Sequence, residues 1–153
     1  MISIQRFTSY TVAIVAALAL SVGCGSRNKN ICHVNPANWS NGAVVIIDNV
    51  DTQHLLDIEF FVKHNADFNL KTLPVVIRSI APNGLECIDQ AFWVFDEYDA
   101  TATTASLQKI GYRSTCLLDQ VGEYKFVISP LEPVRGIEAV IVTAQRATIK
   151  PIY

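Results

Sequence analysis

The chain has 153 residues, with 12 lysines and arginines against 14 aspartates and glutamates, so its formal net charge is −2. A chain of this size is long enough to bury the core of one domain. It has no basic patch, which argues against nucleic acid as a partner.

The chain begins with a short leader that carries Arg6 and no acid, followed by an apolar run of 13 residues from Tyr10 to Val22. A membrane-spanning helix needs ~20 residues, so the run is too short for a transmembrane anchor. A basic start, a short apolar stretch and small residues before a cleavage point are typical of a secretory signal. We therefore predict a signal peptide over residues 1–23.

The sequence Leu20-Ser21-Val22-Gly23-Cys24 resembles a bacterial lipobox, in which the signal is cut before a cysteine that then carries lipid. Gly23 is small enough for the peptidase, although Ser21 stands where a leucine is usual. The alternative is an ordinary signal in which Cys24 is incidental. We predict that Cys24 is lipidated, that residues 24–30 form the lipidated cysteine and a polar tether, and that the lipid anchors the chain on the periplasmic side of a bacterial membrane, with the outer membrane expected.

Residues 31–153 show the periodicity of strands. In "HLLDIEFFVK" the side chains of Leu56, Ile58, Phe60 and Val62 share one face, and "EYKFVIS" alternates in the same way. Turn signals separate these segments, and Asn83-Gly84 between apolar runs predicts a hairpin. The sequence predicts a single all-β domain, an antiparallel β-sandwich of about seven strands. We expect "GAVVIID" at residues 42–48 to pair inside a sheet and not to lie at an edge.

Residues 96–109, "DEYDATATTASLQK", lack a strand pattern. A loop of this length inside a compact domain is uncommon and is often functional. We consider Asp96, Glu97, Tyr98 and Asp99 a possible binding loop. The alternative is an ordinary solvated crossover between the two sheets.

No motif for catalysis or metal binding is present. Cys32-His33 are adjacent and not spaced as metal ligands, and His54 and His64 lie at opposite ends of one predicted strand. The sequence therefore predicts a protein that is not an enzyme and has no metal or other cofactor. Phe92 and Trp93 fall on opposite faces of their strand, and either could stack on a sugar ring or fill the core. A glycan-binding lipoprotein is accordingly the alternative function.

A lipidated Cys24 leaves three thiols: Cys32, Cys87 and Cys116. If the strands that carry Cys87 and Cys116 approach each other, a disulfide between them would stabilise the fold by roughly 3–4 kcal/mol. Pairing of Cys32 with either of them is also open, as is the possibility that both are unpaired core thiols.

Several features in order resemble the gliding motility-associated lipoprotein family GldH. They are Cys24, Trp39, "FVKHNADFNL", Pro82-Asn83-Gly84, Gly122-Glu123-Tyr124-Lys125-Phe126 and "PLEPVRGIEAVIV". The resemblance covers residues 24–145, but the family's Gly-Trp-rich stretch after the hairpin is missing here. It implies a non-catalytic, lipid-anchored component of a cell-envelope assembly, with envelope proteins as partners.

Overall fold

A computed structural model of the protein describes residues 28–96 and 105–148, which form eight β-strands in two antiparallel sheets. This architecture confirms the predicted all-β sandwich. The signal peptide over residues 1–23 and the lipidation site Cys24 lie outside the described residues. The strands are β1 Ile31–His33, β2 Ala43–Asn49, β3 Leu56–His64, β4 Thr72–Ile80, β5 Glu86–Val94, β6 Ser106–Cys116, β7 Gly122–Pro130 and β8 Ile137–Arg146.

The two sheets each contain four strands. Sheet 1 has the order β1-β8-β3-β6, and sheet 2 has the order β2-β7-β4-β5. Most pairings join strands that are distant in the sequence, such as β3 with β8 and β2 with β7. The hairpin of β4 and β5 joins two strands that are neighbours in the sequence. The core therefore depends on contacts between remote segments.

The core lies between the inner faces of the sheets, where the alternation read from the sequence is confirmed. Leu56, Ile58, Phe60 and Val62 of β3 are all buried, and the intervening residues are more exposed. The same holds for Tyr124, Phe126 and Ile128 of β7. Each strand follows the period of two because successive side chains of an extended backbone point to opposite faces.

The turn between β4 and β5 is the hairpin predicted from Asn83-Gly84. The amide N–H of Gly84 donates to the Ala81 carbonyl at 2.9 Å, and the side-chain oxygen of Asn83 accepts from the Leu85 N–H at 3.1 Å. Gly84 has a φ of 85°, a backbone conformation that glycine adopts without steric cost.

The expectation that "GAVVIID" lies inside a sheet is wrong. Within the described residues, β2 has one strand partner, β7, and lies at the edge of sheet 2. The chain before β1 covers part of its free side, since the Ile46 N–H donates to the carbonyl of Lys29 at 2.8 Å. This contact limits further pairing along an otherwise open edge.

The prediction that residues 96–109 lack a strand is wrong for the last four of them. Residues 106–109 form the start of β6, where Lys109 pairs with Phe61 and Leu107 with Lys63 of β3. This part of the sequence has few large apolar groups because β6 is an edge strand, half exposed along its length. These residues form a strand because they pair with β3. The local alternation of apolar and polar residues does not reveal this pairing.

Residues 28–30, which the sequence assigned to the tether, already contact both sheets. The Lys29 carbonyl accepts from Ile46 in sheet 2, and the Asn30 carbonyl accepts from the Val142 N–H in sheet 1 at 2.9 Å. The ammonium group of Lys29 also pairs with Glu123 of β7. The folded domain therefore includes these three residues.

Replacing Gly136 with alanine should destabilise the fold strongly. Gly136 has a φ of 86°, and a Cβ atom there would lie 2.2 Å from the backbone nitrogen of Phe68. The expected loss is about 3 kcal/mol in the free energy of unfolding, from backbone strain and overpacking together. Chemical denaturation measures it.

Gly84 offers a matched control, because its φ is 85° but an added Cβ would meet no atom within 4 Å. Gly84→Ala should cost only about 1 kcal/mol, the conformational term alone. Equal losses in the two variants would contradict the steric argument.

Candidate functional site

The predicted binding loop is described only at its first residue. Glu97, Tyr98 and Asp99 lie outside the described residues, and Asp96 is exposed two positions after the end of β5. Asp96 and Gln108 of β6 hydrogen-bond reciprocally: the Asp96 N–H donates to Oε1, and Nε2 donates to Oδ2, both at 3.3 Å. This pair joins the edge strands of the two sheets at the beginning of the loop.

A small cavity of about 160 Å³ lies next to Asp96, with His64 in its wall. The His64 ring is buried and packs against Phe68 and Phe95, with ring centroids 5.3 and 5.5 Å away. Its Nδ1 has no hydrogen-bond partner. Burial among these aromatic rings lowers the pKa of His64 below 6.5, although the nearby Glu138 carboxylate opposes the shift.

The histidines do not gather into a metal site. His33 lies on β1 in sheet 1, His54 in the loop before β3 and His64 at the end of β3. Across residues 28–96 and 105–148, no group of three or more His, Cys, Asp or Glu side chains is placed to hold a metal ion.

Cys87 and Cys116 line one cavity of about 310 Å³, although they belong to opposite sheets. Cys87 is on edge strand β5 and Cys116 at the end of edge strand β6, so the cavity lies between the two edges. Both are free thiols in the structure, as is Cys32 on β1. The disulfide therefore stays a prediction.

The two edge strands are joined beside this cavity by a polar network that the sequence analysis missed. The Asp89 carboxylate of β5 accepts from the Tyr112 hydroxyl and from the Arg113 guanidinium of β6, both at 2.6 Å. The Tyr112 hydroxyl is also 3.2 Å from the Ser79 hydroxyl. The hydrogen bond from Tyr112, together with the charge of Arg113, lowers the pKa of Asp89. These bonds hold β5 against β6 where backbone pairing is absent.

The outer face of sheet 2 carries an apolar strip, which we define as Phe92 and Val94 of β5 with Pro74 of β4. Ile88 lies on the same face but is separated from Phe92 by the exposed Gln90. Pro74 is the Cα partner of Phe92 in the pairing of the two strands. Ile88, Phe92 and Val94 are each about two-thirds exposed. Trp93, in contrast, is buried in the core and unavailable to stack on a sugar, which leaves Phe92 as the exposed member of that pair.

The outer face of sheet 1 differs in chemistry. Lys63 pairs with Glu138 at 2.9 Å, and Lys109 pairs with Glu59 at 2.7 Å. Charged pairs of this kind keep a sheet face solvated. The outer face of sheet 2 also carries one such pair, Arg78 with Glu86 at 3.8 Å, but around Phe92 and Val94 this face is apolar.

A search of protein-family models found no match to this chain, and a search of curated proteins found none either. The described residues contain no helix whose length and apolar character would allow it to cross a membrane. The resemblance to GldH consequently rests on the motifs quoted above.

The stability of the protein should fall as the pH drops below 6.5, in part because of His64. Burial lowers the pKa of His64 in the folded state, so between the folded pKa and 6.5 the unfolded chain binds more protons than the folded one. The free energy of unfolding therefore rises with pH in this window.

Denaturant unfolding from pH 7.5 to 5.5 tests this expectation, with His64→Phe as the variant that keeps an aromatic ring. The variant should show a flatter dependence on pH. Equal slopes in the two proteins would mean that another group is responsible.

In the folded, reduced protein, Cys87 should react with an alkylating reagent several-fold faster than Cys116. Cys87 is exposed, whereas Cys116 is half-buried and burial raises the pKa of its thiol. Mass mapping of the alkylated peptides measures the two rates.

The predicted disulfide is tested in protein that has been exported and then unfolded without a reductant. We expect Cys32 to be labelled and Cys87 and Cys116 to be protected. Full labelling of both would refute the bridge.

Proposed function

We propose that this protein is a lipid-anchored, non-enzymatic component of a cell-envelope assembly, as the resemblance to GldH implies. It is held on the periplasmic side of a bacterial membrane by lipid on Cys24, and it binds a protein partner through the apolar strip of sheet 2. The observation that carries the proposal is this strip, which the chain leaves exposed on the outside of a well-packed sandwich.

The exposure of the strip supports protein binding. Isolated exposed apolar residues are ordinary, but a contiguous apolar surface on a monomer often marks an interface. Phe92 supplies the large, rigid side chain that commonly dominates the binding energy of such a surface. β5 is also an edge strand, so a partner could add to the sheet at the same place.

The position of the domain along the chain supports the anchor. The first described residue, Asn28, follows Cys24 by four residues. Lys29 and Asn30 are already bonded to both sheets. A lipid on Cys24 would therefore hold the sandwich close to a membrane surface.

The protein partner is tested with a photo-crosslinking amino acid at Phe92 in intact cells. We expect a covalent adduct with an envelope protein, identified by mass spectrometry. Leu107 is the matched control, because it is apolar and 57% exposed against 66% for Phe92, but it lies beside Lys63 on the charged face of sheet 1.

Adducts of equal yield from both positions would argue against a specific surface. If neither position captures an envelope protein and the purified chain binds a sugar array, the glycan-binding alternative replaces the proposal. Loss of that sugar binding in Phe92→Ala would place the glycan on the same strip.

The lipid is tested independently by the intact mass of the chain extracted from membranes. We expect a diacyl or triacyl mass on a chain that begins at Cys24, and loss of that mass in Cys24→Ser. An unmodified mature chain would reject the anchor and leave the protein partner to be judged by the crosslinks.

A further inference from the structure

We infer that one end of the sandwich, formed by the loops 50–55, 81–85 and 117–121, rests directly on the lipid bilayer. We call it the near end, because the chain leaves the domain there toward Cys24. The inference rests on the proposed lipid anchor and goes beyond it, since it assigns a second membrane contact to the folded domain itself.

Strand register places these three loops at the same end. Asn49 at the end of β2 pairs with Gly122 at the start of β7, and Ile80 at the end of β4 pairs with Lys125. In the other sheet, Leu56 at the start of β3 pairs with Cys116 at the end of β6. A hydrogen bond joins two of these loops, since the Asn83 N–H donates to the side-chain oxygen of Gln120 at 3.1 Å.

The described chain starts in the half of the sandwich that faces this end. The Asn30 carbonyl accepts from the N–H of Val142 near the middle of β8, and Lys29 pairs with Glu123 at the start of β7. Asn28 lines an open cleft of about 680 Å³ together with Val50 and Asp51 of the first loop.

The covalent reach of the chain then limits where the domain can lie. Asn28 is four positions beyond Cys24, a span of at most about 14 Å when fully extended. A strand of nine residues, such as β7, is about 30 Å long. A lipid on Cys24 therefore keeps the near half of the sandwich close to the bilayer surface, and in an upright domain it leaves the opposite end farther away.

The loops of the near end present apolar side chains to the outside. Val50 is 84% exposed, Leu85 69% and Val121 67%, and each lies in a different loop. Leu117 and Leu55 add two further exposed apolar side chains. Apolar tips on three adjacent loops suit insertion at the boundary of headgroups and acyl chains, where buried apolar area drives binding.

The charges at the near end do not oppose this contact. Asp51 and Asp119 are the acids of the three loops, which contain no lysine or arginine. Asp51 is paired with Arg146 at 3.2 Å and with His54 at 2.9 Å, and Glu123 at the start of β7 is paired with Lys29.

Two loops at the opposite end have a different composition, whereas the third described loop there, 34–42, carries no charge. The loops 65–71 and 131–136 carry four charged residues, Asp67, Lys71, Glu132 and Arg135. Leu70 and Leu131 are the exposed large apolar residues of these two loops. They supply matched control positions of the same apolar type.

The test uses the full chain extracted from membranes and reconstituted into vesicles of phosphatidylethanolamine and phosphatidylglycerol. A tryptophan is introduced at Val121 or Leu85, and at Leu131 or Leu70 as controls. Native Trp39 and Trp93 are each only 2% exposed, so they give a constant background. Lipids brominated near the headgroup quench a tryptophan that touches the bilayer.

We expect brominated lipids to remove about half or more of the added emission in Val121→Trp and Leu85→Trp, since the tips would sit within ~5–10 Å of the acyl boundary. The emission of Leu131→Trp and Leu70→Trp should change little. Quenching equal at both ends, confined to the opposite end, or absent at the near end would overturn the inference.

A second measurement separates insertion by the loops from insertion by the added tryptophan. Replacing Val50 and Leu117 with asparagine in the Val121→Trp protein should reduce the quenching several-fold, while Leu70→Asn with Leu131→Asn should leave it unchanged. Unchanged quenching in the first pair would contradict a contact made by the loop tips. Circular dichroism confirms that each variant keeps its β structure.

The intact mass of the same samples distinguishes the two proposals. An acyl mass without quenching at the near end rejects the loop contact and leaves the anchor in place. Quenching without an acyl mass rejects the anchor and retains the membrane contact, and the absence of both rejects the two together.

Discussion

Phe60 is the side chain through which the two sheets are held together. It projects from β3 in sheet 1 and is fully buried, with its ring centroid 5.7 Å from Trp93 and 5.9 Å from Phe126 in sheet 2. Tyr112 of β6 completes the group at 5.2 Å. Aromatic rings at these separations contribute through their large buried area and through their relative orientation. This cluster fixes which face of four strands points inward, and therefore which residues remain outside.

The consequence is clearest on β5. Because Trp93 must enter the core to meet Phe60, its neighbours Phe92 and Val94 must point away from the core. The apolar strip is thus a direct result of how the core packs. Polar residues at Phe92 and Val94 would have suited a solvated face equally well, and their absence supports the proposed binding of a partner. The ion pairs of Lys63 and Lys109 on sheet 1 show what a solvated face of this same domain looks like.

The sandwich also separates two surfaces that the proposed biology needs to keep apart. Partner binding is assigned to a side face, and membrane contact to the end where the chain leads toward Cys24. In an upright domain the strands stand away from the bilayer, so the apolar strip remains open to a protein in the periplasm. The Asp89–Tyr112–Arg113 network lies between these surfaces and keeps β5 against β6 without backbone pairing. Because the network fixes β5 against β6, the surface proposed for the protein partner and the surface proposed for the membrane belong to one rigid domain.

The sequence by itself determined the class of fold, the inward faces of β3 and β7 and the hairpin at Asn83-Gly84. These features are local: the period of two lies within one strand, and positive φ at a tight turn calls for glycine in the sequence. Of the predicted binding loop, the structure describes Asp96 alone. The sequence analysis missed the nearby strip because both faces of β5 are apolar here, with Ala91 and Trp93 facing inward and Phe92 and Val94 facing outward.

The tertiary structure decided the rest. It placed β2 at an edge, extended β6 back to Ser106, brought Cys87 and Cys116 to one cavity from opposite sheets, and gathered the apolar loop tips at one end. Each of these depends on which distant strands pair and in which register. The alternation of apolar and polar residues in a strand is the same at an edge as in the middle of a sheet. Strand order and register are therefore decided only when all the strands pack around one core.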